Sequence, residues 1–181
     1  MTYRYILDLI DDGLIRKGKV LDLGCGPGTA ATLLSSLGFD VEAVDILDQQ
    51  IYSANDSGTV SFIKSDIRSF PIKKGSYDFI HARNVLHFLS KDEIRETIRR
   101  MYAGLKPKGV LYFNVSGDKD GWKEKSKNVT FLTDEEVALY VENPIKKGNK
   151  PVHSKVIRFG FGTTMRGAYK YTHTISYTVV R

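Results

Sequence analysis

Short apolar runs alternate with helical patterns along most of this 181-residue chain, and this alternation limits the folds available to it. Five runs have the length and composition of strands: Lys19–Leu23, Asp40–Asp45, Val60–Lys64, Tyr77–Ala82 and Val110–Val115. Helices are predicted before and between them, over Tyr3–Ile10, Gly28–Leu37, Leu47 to about Asn55, and Ser90 to about Leu105. Strands that alternate with helices favour a mostly parallel sheet with helices on both faces, so we predict an α/β fold.

The last third of the chain has a different pattern. Lys155–Phe161 and Tyr169–Val180 alternate with a period of two residues, which predicts a β-hairpin. Thr133 and Glu136 have the spacing of a capping box and predict the start of another helix. The lysine-rich stretch Lys146–Lys150 is interpreted as an exposed loop.

Composition and length are those of one globular domain, which we expect to span residues 1–181. Hydrophobic residues make up 41% of the chain and charged residues 27%, and no run approaches the ~20 apolar residues of a membrane span. Cys25 has no partner for an internal disulfide, and Asp8 and Asp11 interrupt the apolar pattern of the N-terminus. We therefore expect a cytoplasmic protein with neither a secretory signal nor a membrane partner. The sequence predicts no metal site.

Residues 20–28 read Val-Leu-Asp-Leu-Gly-Cys-Gly-Pro-Gly, a strand that leads directly into a glycine-rich turn. Glycine lets the chain turn tightly at a strand end and lets a ligand come close to the main chain. A nicotinamide-binding turn, G-x-G-x-x-G, would have its third glycine at position 29, where this chain has Thr29. The turn therefore predicts a nucleotide-like ligand and counts against a nicotinamide-dependent oxidoreductase.

The G-x-G-x-G turn preceded by Asp22 resembles the first motif of the class I S-adenosylmethionine-dependent methyltransferases. Acids at Asp45 and Asp66, the stretch 77–89 and the turn Lys106–Gly109 resemble later motifs of that family, in its order. The resemblance covers roughly residues 2–115 by motif and the remainder by pattern. It implies a Rossmann-like, mostly parallel seven-stranded sheet that ends in an antiparallel β-hairpin. The chain looks most like the type 11 and tellurite-resistance-like small methyltransferases.

The resemblance implies that S-adenosylmethionine binds beyond the carboxyl ends of the strands. Asp45 would accept hydrogen bonds from the two ribose hydroxyls, and Asp66 from the adenine amino group. Ile46 and Ile67 would cover the two faces of the adenine ring. The alternatives are that the two acids cap the segments that follow them and that the two isoleucines are ordinary core residues.

The methionine part of the cofactor is assigned to the glycine turn and the fourth strand. By the same resemblance, Asp22 would hold the ammonium group and brace the turn at Gly24, Cys25 and Gly26, while the backbone around Ala82 lies against the methionine. Backbone N–H groups near Gly26 are candidates for binding the carboxylate. A nucleophilic role for Cys25 lacks a histidine partner, so we interpret it as a small residue that fits the turn.

The resemblance also makes Arg83, Asn84 and His87 the candidates for the catalytic centre, because they follow the fourth strand at the expected mouth of the site. Methyl transfer is an in-line displacement that needs alignment and exclusion of water, and a base only if the acceptor keeps its proton until attack. His87 is interpreted either as that base or as a packing residue. Arg83 binds an anionic acceptor or extends into solvent. His81 is interpreted as structural.

The favoured acceptor is a small molecule. Nucleic-acid amino-methylating members of the family carry an Asn/Asp-Pro-Pro-Tyr/Phe motif, and this chain has Ala82-Arg83-Asn84-Val85 at that place. The net charge of +6 keeps RNA or protein as an alternative acceptor. A non-catalytic module that binds the cofactor is a further alternative. The polar segment around Trp122, residues 117–131, is interpreted as a substrate lid or as a surface loop.

Overall fold

The computed structural model describes residues 3–48, 58–142, 152–164 and 167–181. Its helices are α1 (Arg4–Asp11), α2 (Thr29–Ser36), α3 (Lys91–Gly104) and α4 (Asp134–Glu142). Its strands are β1 (Lys19–Leu23), β2 (Asp40–Asp45), β3 (Val60–Lys64), β4 (Tyr77–Ala82), β5 (Leu105–Gly117), β6 (Phe131–Leu132), β7 (Val152–Thr164) and β8 (Gly167–Val180). A short 3-10 turn covers Leu86–Phe88.

The strands form one sheet in the order β3-β2-β1-β4-β5-β8-β7. Strands β1 to β5 pair in parallel, whereas β8 pairs antiparallel with both β5 and β7. The predicted α/β fold with a C-terminal hairpin is confirmed. The strand order changes direction between β1 and β4, and open α/β sheets bind ligands in the crevice at such a point.

The predicted seven strands are all present, and the structure adds an eighth. Strand β6 pairs in parallel with the end of β5, and its two residues are too few to produce a periodic pattern. Strand β5 also begins earlier than predicted. The turn expected over Lys106–Gly109 lies inside it as an irregularity, where the β4 pairing jumps from Leu105 to Val110. The helix predicted from Leu47 falls mostly on residues 49–55, outside the described residues, as does Lys146–Lys150.

Capping boxes begin α3 and α4, as predicted. The Ser90 N–H donates to Glu93 Oε2 at 2.8 Å, and the Glu93 N–H donates back to Ser90 Oγ at 3.4 Å. The Thr133 N–H donates to Glu136 Oε2 at 2.9 Å, and the Glu136 N–H donates to Thr133 Oγ1 at 3.2 Å. Each pair satisfies two N–H groups that the first turn of a helix leaves without partners.

Two apolar layers cover the sheet. Helices α1 and α2 pack on the face that carries Val20, Val41 and Phe79. Helices α3 and α4 pack on the opposite face, which carries Leu21 and Ile80. The neighbours Val20 and Leu21 point to opposite layers because side chains alternate along a strand. Within the described residues, no helix is both long enough and apolar enough to cross a membrane.

Candidate functional site

The glycine turn is fixed to the end of β2. The N–H groups of Gly24 and Cys25 donate to the Val44 carbonyl at 2.8 and 3.0 Å, and the Gly26 N–H donates to Asp45 Oδ2 at 2.9 Å. Gly24 has φ +68°, and a Cβ atom placed there would lie 2.2 Å from Val85 Cγ2. The left-handed backbone and the close approach of Val85 both require glycine at this position.

A cleft of about 390 Å³ lies beside this turn, at the carboxyl ends of the first three strands. We call it the glycine-turn cleft. It brings together six of the residues predicted to bind the cofactor: Gly24, Gly26, Asp45, Ile46, Asp66 and Ile67. Ile46 is 57% exposed while Ile67 is buried, so Ile46 offers an apolar surface that no neighbouring side chain among the described residues covers fully.

The two carboxylates of the cleft are held by the backbone. Asp45 Oδ1 accepts the Leu47 N–H at 2.9 Å, in addition to the bond from Gly26 to its other oxygen. Asp66 accepts the Arg68 N–H at 2.9 Å and forms an ion pair with the Arg68 guanidinium. The hydrogen bonds from Arg68 hold the pKa of Asp66 below its usual range. Both acids thus cap the residues after them. Each oxygen of Asp45 keeps acceptor capacity for a ligand, whereas both oxygens of Asp66 already accept hydrogen bonds from Arg68.

The other predicted cofactor residues do not line the glycine-turn cleft. Asp22, Cys25 and Ala82 are buried behind it. Asp22 Oδ2 is buried and has no hydrogen-bond partner among the described residues. Burial raises the pKa of the Cys25 thiol to about 12, so this residue is a neutral thiol and not a nucleophile at ordinary pH. The Gly26 N–H, a candidate for the methionine carboxylate, is instead bonded to Asp45.

A second cavity, of about 470 Å³, adjoins the first, and we call it the polar cavity. The three predicted catalytic residues Arg83, Asn84 and His87 all line it. Its floor is polar and comes from β5 and β8, with the side chains of Asn114, Ser116, Thr172, Thr174 and Ser176. Tyr5, Tyr112 and Trp122 supply aromatic surface, and Arg158 supplies a second cation.

Asn84 lines both cavities. Its φ of +56° places it in the left-handed region, which asparagine tolerates better than most residues. Asn114 holds it there, because the Asn84 N–H donates to Asn114 Oδ1 at 2.6 Å and Asn114 Nδ2 donates to Asn84 Oδ1 at 2.7 Å. Sequence reasoning missed Asn114, which lies 30 residues further along the chain.

His87 and Arg83 line the polar cavity beside different aromatic neighbours. The Arg83 guanidinium lies 5.0 Å from the centre of the Tyr3 ring. His87 is buried, and its ring lies 6.2 Å from the Trp122 ring, measured between centroids. Burial lowers the pKa of His87 to about 4, against the opposing effect of the Asp120 charge. His87 is therefore a neutral imidazole at pH 7, and a weak base.

The depressed pKa of His87 predicts a loss of stability in acid. The unfolded chain takes up this proton near pH 6.5 and the folded protein only near pH 4, so the contribution is complete above pH 6.5 and is lost between these values. The loss is on the order of 3 kcal/mol. We expect the free energy of unfolding of His87→Gln in urea to fall less than that of wild type between pH 7 and pH 4, because the variant lacks the contribution of His87. Parallel pH profiles of the two proteins would contradict it.

The segment 117–131 forms a wall of the polar cavity. The Asp120 carboxylate accepts the Trp122 N–H at 2.8 Å and the His173 N–H of β8 at 2.9 Å. The Thr130 N–H donates to the His87 carbonyl at 2.8 Å. These contacts place Trp122 at the cavity and hold the segment against β8 and the 3-10 turn, and its role as a substrate lid stays a prediction.

One row of polar side chains was not predicted as a unit. Asp22, His81 and Tyr112 are neighbours in register on β1, β4 and β5. His81 Nδ1 lies 2.6 Å from Asp22 Oδ1, and His81 Nε2 lies 2.5 Å from the Tyr5 hydroxyl. The Tyr5 ring stacks on Tyr112, with 4.1 Å between centroids. His81 is thus structural in part, as expected, but it also connects Asp22 to a residue of the polar cavity.

Comparison with known proteins agrees with this geometry. The model of a family described as a methyltransferase domain matches residues 20–109. The chain is 30% identical over 112 residues to YqeM of Bacillus subtilis, named as a methyltransferase, covering 59% of this chain and 45% of that protein. It is 31% identical over 102 residues to a ubiquinone biosynthesis O-methyltransferase of Rickettsia bellii (strain OSU 85-389), covering 54% and 41%.

The fold has a close structural counterpart. TehB of Haemophilus influenzae superimposes with a TM-score of 0.74 at 21% identity, over 96% of this chain and 61% of that one. The chain spans less than half the length of the two curated relatives. The region matched by the family contains every residue that lines the glycine-turn cleft, and it ends before the floor of the polar cavity.

Proposed function

Because the chain belongs to the class I S-adenosylmethionine-dependent methyltransferase family, we propose that it binds S-adenosylmethionine in the glycine-turn cleft and methylates a small molecule bound in the polar cavity. The observation that carries the proposal is the junction of the two cavities at Asn84 and Phe88, which line both. A donor and an acceptor held in adjoining cavities can meet without water between them.

The residues of the cleft fit the cofactor chemically. Asp45 and Asp66 offer carboxylate oxygens at the ends of β2 and β3, where a ribose and an adenine amino group need acceptors. Ile46 and Ile67 offer apolar surface for the adenine ring. The Oδ2 of Asp22, which has no partner among the described residues, is a buried anionic acceptor of the kind that an ammonium group satisfies. Asp66 would share its oxygens between adenine and Arg68.

When bound, S-adenosylmethionine supplies a methyl group already activated by its sulfonium. The chain's own residues then have three tasks. The glycine turn and its neighbours at Asp22 and Ala82 hold the methionine end, Asn84 fixes the boundary between the cavities, and the wall around Trp122 excludes water. Arg83 and Arg158 would hold an anionic group of the acceptor. Neutral His87 would form a hydrogen bond with the acceptor, either as donor or as acceptor.

The size and lining of the polar cavity support a small, polar acceptor. A volume of about 470 Å³ is within the range of small-molecule sites. The hydroxyl and amide groups of its floor can hydrogen-bond to several oxygen or nitrogen atoms of an acceptor. The name of the Rickettsia bellii relative, an O-methyltransferase, favours oxygen as the atom methylated.

Transfer of radiolabelled methyl from S-adenosylmethionine to a fractionated cell extract tests the proposal. We expect label in the small-molecule fraction, and a change in the fluorescence of Trp122, the chain's single tryptophan, when that fraction is added. Label that enters RNA or protein instead would replace the small-molecule acceptor with that macromolecule. Tight binding of S-adenosylmethionine without transfer to any fraction would identify a cofactor-binding module.

A further inference from the structure

Tyr5, His81 and Asp22 form a continuous hydrogen-bonded chain that leads from the polar cavity into the sheet. Asp22 and His81 are 1% and 2% exposed, whereas Tyr5 lines the polar cavity. The two links of the chain measure 2.5 and 2.6 Å. Apolar side chains could fill the same space in the sheet without the cost of burying polar groups. A buried hydrogen-bonded chain beside the polar cavity therefore requires an explanation.

The hydrogen-bond distances permit one arrangement of protons when Asp22 is ionised and His81 is neutral. The Asp22 carboxylate is acceptor-only when ionised, so His81 Nδ1 must donate to it. The other ring nitrogen of a neutral histidine then carries a lone pair, which accepts the Tyr5 O–H. The oxygen of Tyr5 keeps its lone pairs for a donor in the polar cavity.

The environment of Tyr5 keeps its phenol protonated when no acceptor is bound in the polar cavity. Burial raises the pKa of Tyr5 well above its usual value, and the nearby Tyr112, Tyr3 and Asp22 add to the rise, while Arg83 opposes it. A free tyrosinate at neutral pH is therefore excluded. Tyr5 can accept a proton only while it passes its own to His81.

We propose that Tyr5, His81 and Asp22 are a proton relay that takes the proton from a hydroxyl acceptor during methyl transfer. This inference rests on the proposed function and narrows its acceptor to a compound methylated at an O–H group. Tyr5 would be the catalytic residue that touches the acceptor. His81 and Asp22 act through it as positioning residues.

The atoms and charges of the step balance. The new O–CH₃ bond forms as the CH₃–S bond breaks, and the electron pair of the broken bond stays on sulfur. The acceptor proton passes to Tyr5 Oη while the phenolic proton passes to His81 Nε2. The imidazolium that results lies beside the Asp22 carboxylate, which compensates its charge. Among the described residues His87 has no ion pair with a carboxylate, which makes it the poorer base.

Tyr5→Phe tests the relay, with Tyr77→Phe as the matched control. Tyr77 also makes a partly buried hydrogen bond, of 2.6 Å to Glu42, but at the opposite end of β4. The substrates are radiolabelled S-adenosylmethionine and the extract fraction that wild type labels. We expect Tyr5→Phe to lower kcat by about 100-fold or more at pH 7 and to leave the Kd for S-adenosylhomocysteine within about twofold. Tyr77→Phe should transfer at the wild-type rate.

The pH profile separates a relay from a structural role. Without the relay, the rate should depend on prior ionisation of the acceptor, so log kcat of Tyr5→Phe should rise with a slope of about one per pH unit. A wild-type rate and profile in Tyr5→Phe would overturn the relay and leave the proposed function intact. Absence of label in every fraction with wild type would overturn both.

The tautomer of His81 gives a test that does not depend on the variant's folding. In ¹⁵N NMR spectra of the full wild-type chain with S-adenosylhomocysteine, we expect the proton on Nδ1 and a hydrogen-bonded lone pair on Nε2. A proton on Nε2 would make Tyr5 the acceptor and would exclude proton transfer from the polar cavity.

Discussion

Gly24→Ala is expected to destabilise the protein by about 2–5 kcal/mol in urea unfolding. The left-handed backbone at this position, with φ +68°, costs an alanine roughly 1–2 kcal/mol. The added Cβ would lie 2.2 Å from Val85 Cγ2, and such overpacking costs about 1–3 kcal/mol more. Because the turn also forms the wall of the glycine-turn cleft, we expect cofactor binding to weaken as well.

Two control variants separate the backbone and packing contributions. Gly13 has φ +70°, but a Cβ atom added there would have no described atom within 4 Å, so Gly13→Ala should show the backbone cost alone. Combining Gly24→Ala with Val85→Ala should recover part of the packing cost as a favourable coupling energy. If Gly24→Ala costs no more than Gly13→Ala, the close approach of Val85 does not constrain the turn.

Asp45→Ala is expected to weaken binding of S-adenosylhomocysteine by about 1.5–3 kcal/mol, on the order of 10- to 150-fold in Kd. The carboxylate is a charged acceptor for the ribose hydroxyls, and it also holds the Gly26 N–H in the turn. Isothermal titration calorimetry measures the affinity, and urea unfolding of the same variant measures any loss of stability.

Asp48→Ala is the matched control for Asp45→Ala. Asp48 lies three residues further along, on the exposed segment that follows β2, and makes a long ion pair of 3.5 Å with Lys64. We expect the affinity of Asp48→Ala for S-adenosylhomocysteine to stay within about twofold of the wild-type affinity. An unchanged affinity in Asp45→Ala would show that the ribose is held elsewhere, even if stability falls.

The sequence predicted those strands and helix starts whose positions depend on residues close together in the chain. The bounds of β1 to β4 agree with the sequence, because each is a compact run between turn residues, and both capping boxes form as expected. Strand β6 and the irregular start of β5 depend on pairing with distant strands. No local pattern carries that information.

The same distinction applies to the site. Residues of the glycine-turn cleft directly follow predicted strands, so their strand-end positions were visible in the sequence. The partners Asn114 and Tyr5 meet Asn84 and His81 only through the register of the sheet and the packing of α1. One signal was available for the polar cavity: Thr172, Thr174 and Ser176 put hydroxyls on one face of an otherwise apolar strand.

Alternate side chains of β8 lie on opposite faces of the sheet, so residues that pack in the core alternate with residues that line the polar cavity. Ile175, Tyr177 and Val179 face the core, whereas the hydroxyl residues between them face the polar cavity or the same side of the sheet. At Thr172, Thr174 and Ser176, which line the polar cavity, exchange among serine, threonine and similar-sized residues is expected to leave the layer of Ile175, Tyr177 and Val179 unchanged. A chain built this way can acquire a new acceptor through changes in its C-terminal hairpin while it retains the same methyl donor.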